Sequence, residues 1–354
     1  MERKGGGRTF ADPVSRTAKA RAQPPRWFSA LEDIANEQSS APAPDVSIVV
    51  VSWNVRELLR DCLSSVEEQT RRAHEVIVVD NHSRDGSAEM VRGEFPEVRL
   101  IANTDNRGFA AANNQGLAVA TGRNILLLNP DTLVLDAGID TMLDWLERHP
   151  DVGCVGCQVL ESETDVQMTC FSDPGPLNLL LVETGLHRVP ACTGFFGRPH
   201  YAGWDRRDER EVDVVSGMFM LLPRRVVDEV GPLDDDFFVY SEEADWCRRI
   251  REAGYRCVFA PVARIRHREG GGKSTALMRP KMYVELQKSK LLYIRKHYGS
   301  VGRALARTTL LASMLARATF YGLASLAAPR GEARALSRLA RGGARFHVTG
   351  REPQ

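Results

Sequence analysis

From Val46 to Pro150 the chain repeats one pattern: a short β-branched run, then an amphipathic segment at helical spacing. The runs are VSIVVVSW, HEVIVVDN, VRLIAN and RNILLLNPD. Between them lie VRELLRDCLSSVEEQ, SAEMVRGEF and FAAANNQGLAVAT, and DAGIDTMLDWLERHP closes the series. In the first of these segments Val55, Leu58, Leu59, Cys62, Leu63 and Val66 fall on one helical face. Short apolar runs without alternation belong to strands covered on both sides. Strands alternating with helices at this pace predict an α/β fold, a mostly parallel sheet flanked by helices. Asp136 is the expected N-cap of the last helix.

The ends of the runs are as informative as their interiors. They read SWN, VDNHS, ANTDNRG and NPDT. Polar chemistry in an open parallel sheet gathers at the carboxyl ends of its strands, so these residues should converge on one rim. The stretch after the first run, SWNVRE, holds no glycine, which excludes a GxGxxG dinucleotide cradle and argues against a sugar nucleotidyltransferase. A diphosphate can also be held by a divalent cation on a carboxylate. Asp131, at the end of ILLLNPD, is placed for that.

Beyond Val152 the rhythm loosens. VGCVGCQVL, VDVVSGMFMLL and RCVFAP read as strands, SEEADWCRRIREAGY as a helix and HREGGGKS as a glycine-rich loop. The region from Leu177 to Trp204, with Phe195, Phe196 and Tyr201, is expected to line a substrate cleft. Cys154 and Cys157 form a CxxC inside an apparent buried strand, so packing is their expected role. Seven cysteines without framework spacing suit a reducing compartment, and the N-terminal residues show no apolar signal-peptide core. The acids of SEEAD have two readings. They favour the helix dipole at about 0.3–1 kcal/mol each, or one is the base that an attacking hydroxyl needs.

Taken together, VSIVVVSWN, VIVVDNHSRDGS, NRGFAAANNQG, ILLLNPDT, SGMFMLLPRR, FFVYSEEADWCRR and the terminal His-x-x-Gly…Lys-Ser resemble glycosyltransferase family 2, in its bacterial rhamnosyltransferase-like branch. The resemblance covers roughly Val46 to Lys296. It implies a GT-A fold with a nucleotide-binding half (about 45–150), an acceptor half (about 151–298) and a C-terminal helical extension (299–354), after a disordered leader (1–44). It also implies an inverting, metal-dependent transfer from a nucleotide diphosphate sugar, dTDP-rhamnose among the candidates, to a cell-surface glycan or lipid-linked acceptor. By that resemblance Ser52, Asn54, Asp80, Asn81, Arg107, Asn129, Asp131 and Lys273 bind the donor, and Asp131 and His267 hold Mg or Mn. Glu243 or Glu242 is the base, and Asp245, Trp246 and Gly217 face the acceptor. The family's Asp-x-Asp is NPD here, which leaves Asp131 as its one carboxylate. A non-catalytic nucleotide-sugar scaffold on a membrane is the alternative, and it would be expected to lack the carboxylates that are present.

The tail adds a partner. From Val301 onward there are nine Arg and two Glu, with no Asp or Lys. Thr308 to Ala328 has one charge, Arg317 near its centre, which is costly in a bilayer. Arg334, Arg338, Arg341 and Arg345 recur at helical spacing, although Gly342-Gly343 should weaken a helix there. An interfacial helix pair on an anionic membrane surface is expected, at the inner face of a bacterial plasma membrane. No basic–aromatic interleaving suggests nucleic acid.

Overall fold

The computed structural model describes residues 42–162, 165–188, 193–268, 280–327 and 331–350. The expected leader lies almost wholly outside them, as do Lys273 and its glycine-rich loop.

The first half assembles as its hydrophobic pattern requires. Strands β1 (Val46–Ser52), β2 (His74–Asp80), β3 (Arg99–Ala102) and β4 (Asn124–Leu128) lie parallel in the order β3-β2-β1-β4. Val46 stands opposite His74 on one side and Asn124 on the other, so the carboxyl ends are level. The connections run through α1 (Arg56–Gln69), α2 (Ser87–Glu94) and α3 (Phe109–Val119). Gly116 sets the approach of α3 to the sheet, because a Cβ there would stand 2.4 Å from Val49 Cγ1.

After β4 the sheet becomes mixed. Strand β5 (Thr132–Val134) follows almost at once, then α4 (Gly138–Glu147) and β6 (Val152–Leu160). The expected long strand VDVVSGMFMLL divides in two. Its first part, β9 (Val214–Val215), pairs with β7 (Cys170–Phe171) in a separate ribbon, while β10 (Phe219–Pro223) runs antiparallel beside β4. The main sheet continues β4-β10-β6-β11-β5, where β11 is Arg256–His267, and β8 (Arg210–Glu211) pairs with β11. Helices α5 (Pro176–Glu183), α6 (Thr193–Phe196), α7 (Arg224–Val230) and α8 (Glu242–Glu252) surround this half.

Two local expectations are corrected. Asp136 makes no cap; Ala137 occupies that position, and the Asp136 carboxylate accepts instead from Arg264 Nη2 at 2.6 Å. The Gly342-Gly343 pair does not break α10 (Gly331–Thr349). A Cβ on Gly343 would stand 3.1 Å from Met314 Sδ and from Tyr283 Cε1, so the missing side chain is what lets α10 pack on α9 (Pro280–Ala327). Cys154 and Cys157 are buried in β6, and burial pushes both thiols up, which suits a packing role.

Helix α9 is broken at Gly299, whose φ is 70°. Its first stretch is bonded to the loops before α8 and after β7: Ser289 Oγ donates to Val239 O at 2.8 Å, and the Tyr293 hydroxyl donates to Asp173 Oδ2 at 2.8 Å.

Candidate active site

The carboxyl ends of β1, β2 and β4 open onto a cleft of about 780 Å³. Trp53, Asn81, Asn129, Asp131, Phe109 and Phe238 are among its walls. The convergence of strand ends on one rim is therefore observed for Asn81, Asn129 and Asp131.

Asp131 lies in the short turn between β4 and β5. Antiparallel pairing of β5 with β11 sets Thr132 opposite His267. That register brings His267 Nε2 to 2.9 Å from Asp131 Oδ2, across 136 residues of sequence. The imidazole is oriented from behind by Gln167, whose Oε1 is 3.0 Å from Nδ1. The other carboxylate oxygen, Asp131 Oδ1, is buried and has no hydrogen-bond partner among the described residues. An orphaned carboxylate oxygen beside an imidazole fits a divalent cation, whose oxygen and nitrogen preferences match this pair. No cluster of three or more His, Cys, Asp or Glu forms among the described residues, where Asp131 and His267 stand as a pair.

Asp80 and Ser52 end β2 and β1 side by side, paired in register. Both are buried, and Asp80 Oδ1 and Ser52 Oγ lack partners among the described residues. Buried polar atoms left unmade are costly, so this pair could satisfy a ligand's polar edge, although neither residue is among the cleft walls. Asn54 and Asn81 differ. Asn54 Oδ1 accepts from Arg84 N at 2.8 Å, and it holds the β2–α2 loop. Asn81 Oδ1 accepts from Arg107 N at 3.0 Å and its Nδ2 donates to Gly108 O at 3.1 Å. Both asparagines shape the pocket through the backbone. The Arg107 side chain is exposed and pairs loosely with Asp105 at 3.8 Å.

The segment Phe237–Ser241 is pressed into place against Gly108. Phe109 N donates to Phe238 O at 2.6 Å, and a Cβ on Gly108 would stand 2.2 Å from that same oxygen. Tyr240 and Ser241 then adopt φ of 73° and 69°, left-handed values that non-glycine residues avoid. This turn delivers Glu242 and Glu243 to the start of α8 directly after Phe238 and Val239, which line the cleft. Glu242 Oε2 and Glu243 Oε2 are buried without partners among the described residues. Burial pushes the Glu243 carboxyl up to about 7. Burial and the adjacent Glu243 push Glu242 up as well.

Asp245 and Trp246, expected at the acceptor, are turned into the protein. Both have no exposed surface. The Trp246 indole donates to Gly231 O at 2.9 Å. Asp245 is saturated by His297 Nε2 at 2.7 Å, Lys296 Nζ at 2.7 Å and Arg249 Nε at 2.8 Å, and so ties α8 to α9. Burial alone would raise the Asp245 carboxyl, but His297, Arg249 and Lys296 outweigh it and hold it well below the usual range. Replacing Asp245 by Ala is expected to cost about 3 kcal/mol, because it strands partly buried cations. A depressed pKa stabilises above the unfolded value and is lost as pH falls through the folded one. The gap between the two proteins in urea melts should therefore be full at neutral pH and shrink below about pH 4.

Gly217 lies against Phe109 in the cleft wall, where a Cβ would stand 3.4 Å from Phe109 Cζ. Trp53, Phe109 and Lys281 were not singled out by sequence reasoning. Trp53 was signalled by its place, a large aromatic closing a β-branched run, and it is 44% exposed. Lys281 carried no such signal, since it reaches the cleft only because α9 begins there.

Comparison with known proteins follows the same lines. A profile described as "Glycosyl transferase family 2" matches residues 47–231. The N-acetylglucosaminyl-diphospho-decaprenol L-rhamnosyltransferase of Mycobacterium tuberculosis is 26% identical over 295 residues, 79% of this chain and 93% of that protein. The O-antigen biosynthesis protein RfbC of Myxococcus xanthus is 28% identical over 244 residues, 65% of this chain and 18% of that protein. Among solved structures, the mannosyltransferase PcManGT from Pyrobaculum calidifontis, in complex with GDP-Man and Mn2+, superposes with a TM-score of 0.50 at 18% identity, over 92% of this chain and 94% of that one. This last likeness is one of fold.

Proposed function

The chain belongs to glycosyl transferase family 2, and from that premise we propose how its cleft transfers a sugar. The donor is a nucleoside-diphosphate sugar bound with Mg or Mn, and the acceptor is a lipid-linked or cell-surface glycan. The observation that carries the reading is Asp131, which lines the cleft: its Oδ1 is buried without a partner among the described residues, while its Oδ2 faces His267. Asp131 and His267 would hold the cation, which when bound supplies the positive charge that a departing diphosphate needs.

The chain's own groups do the rest. Asp80 and Ser52 meet the polar edge of the nucleobase, Trp53 offers a stacking face, and Asn81 and Asn54 fix the loops around them. Asn129 and Arg107 bind ribose or phosphate. Glu243 removes the acceptor's hydroxyl proton as that oxygen bonds to the anomeric carbon. The bond from that carbon to the phosphate oxygen breaks, and its electron pair leaves with the nucleoside diphosphate. Attack opposite the leaving group inverts the centre. Glu243 is preferred to Glu242 as base because it is the less enclosed of the two.

The likeness to an N-acetylglucosaminyl-diphospho-decaprenol L-rhamnosyltransferase supports a deoxyhexose such as rhamnose and a lipid-linked acceptor; a dTDP donor and work at the cytoplasmic face of a membrane complete the proposal. Calorimetric titration with dTDP, UDP and GDP, with and without Mn, tests the reading. One nucleotide is expected to bind, and only with the cation. A folded protein that binds none of them overturns it.

A further inference from the structure

A second cavity, of about 470 Å³, lies where the end of α5, the turn Leu186–Arg188, α9 and α10 come together. Glu183, Arg188, Tyr283, Arg317 and Tyr321 are in its lining. Glu183 is the one acid among them, and both its oxygens are taken. Lys290 Nζ reaches Oε1 at 2.8 Å, while Ser313 Oγ and Arg317 Nη2 donate to Oε2 at 2.8 and 3.1 Å. Burial would raise the Glu183 carboxyl, yet Lys290 and Arg317 hold it below its ordinary range. Two cations on one carboxylate leave the cavity with an excess of positive charge, and Arg188 adds to it. Arg317 keeps 41% of its side chain exposed, and Arg188 is exposed with no ion pair among the described residues. The Tyr321 hydroxyl, also in the lining, makes no hydrogen bond among the described residues.

This cavity neighbours the catalytic cleft. Met282 lines the cleft, and Tyr283, the next residue of α9, lines the cavity. A smaller space of about 150 Å³ is lined both by Ser241, which precedes Glu242, and by Val182, which the larger cavity shares. The cavity therefore reaches the catalytic centre from the side of Ser241 and the two glutamates, whereas Asp131 and His267 stand at the β4–β5 turn. Guanidiniums with free N–H groups match phosphate oxygens in geometry as well as charge. The remaining lining includes Val182, Leu336 and Leu339, which suit hydrocarbon and not a nucleoside or a free ion.

We infer that this cavity holds the diphosphate of a lipid-linked acceptor, with Arg188, Arg317 and the Tyr321 hydroxyl donating to its phosphate oxygens and Leu336 and Leu339 against the first carbons of the lipid. The inference rests on the proposed glycosyl transfer and adds to it a second anion site, separate from the one for the donor. It gives the C-terminal helices a part in substrate binding: α9 supplies Arg317 and Tyr321, α10 supplies the apolar side, and neither is needed to build the donor cleft beyond the first turn of α9. Arg317, the one charge in the apolar stretch of α9, is then positioned by Glu183 for a ligand, and the buried Glu183–Lys290 pair fixes α5 against α9 beneath it.

The test titrates the full chain with farnesyl diphosphate by calorimetry, in EDTA, because the donor's diphosphate is expected to bind only with a cation. Binding is expected, and inorganic diphosphate should bind more weakly because it lacks the apolar contacts. Arg188→Gln should weaken farnesyl diphosphate roughly 10-fold or more, the usual loss for a bond to a charged group. Tyr321→Phe should weaken it roughly 2- to 10-fold. Both changes leave Glu183 and its three partners in place, so the fold is kept. A nucleotide added with Mn should not displace the probe. No binding, undiminished binding by both variants, displacement by the nucleotide, or inorganic diphosphate binding as tightly as the farnesyl ester overturns the inference. Nucleotide titration with Mn on the same preparations reads the donor cleft alone, which keeps a failed acceptor site distinct from a failed donor site.

Discussion

Glu243→Gln is expected to lower kcat by roughly 10²–10⁴-fold while nucleotide binding is kept, the loss usual for a general base. The side chain stays the same size, so the strained turn at Tyr240 and Ser241 keeps its packing. Glu242→Gln is the comparison: if Glu243 is the base, it costs less. The pH dependence gives a second readout. Burial raises the Glu243 carboxyl to about 7, so the base is protonated below that pH and transfer should rise as pH climbs through it. Stability should run the other way. Well below pH 4.5, the ordinary value, folded and unfolded states are both largely protonated and burial costs little. Above about 7 the folded state buries a charge, so the stabilising contribution of the raised pKa is gone. The Gln variant should therefore melt above the wild type at pH 8, with the difference fading towards pH 4.5. A variant that keeps full kcat would remove Glu243 from the mechanism.

Asp131→Ala should abolish the cation dependence of nucleotide binding and cut turnover. Lewis-acid stabilisation of a leaving diphosphate is worth several kcal/mol, which at about 1.4 kcal/mol per tenfold is at least roughly 100-fold. His267→Ala should cost less, since one imidazole is easier to replace with water. If both act on one cation, the double variant should cost little more than Asp131→Ala alone, because coupled residues are not additive. The fold is not at stake, as the backbone bond from Arg268 N to Asp131 O at 2.9 Å needs no side chain. Nucleotide binding that still depends on Mn in Asp131→Ala would show that the cation is held elsewhere.

What could be read from the chain alone was whatever a short window encodes. β-branched runs and helical spacing determined four parallel strands and their crossovers, because those segments are buried in the same way wherever they pack. The polar ends of those strands then marked a rim, where Asn81, Asn129 and Asp131 are found, and family resemblance singled out Asp80, Asp131 and Glu243 for roles in the chemistry. The tertiary structure alone decided the rest. Strand β5 is three residues long, too short to carry a pattern, yet its register against β11 is what sets His267 beside Asp131. Asp245 reads as one more acid in a first helical turn, and only α9, arriving from some fifty residues later with His297, makes it a buried anchor. Arg317 reads as a flaw in an apolar helix until Glu183 is found beneath it. In each case the deciding partner lies far outside any local window, and a residue's own neighbours in sequence do not say which of its faces another element will cover.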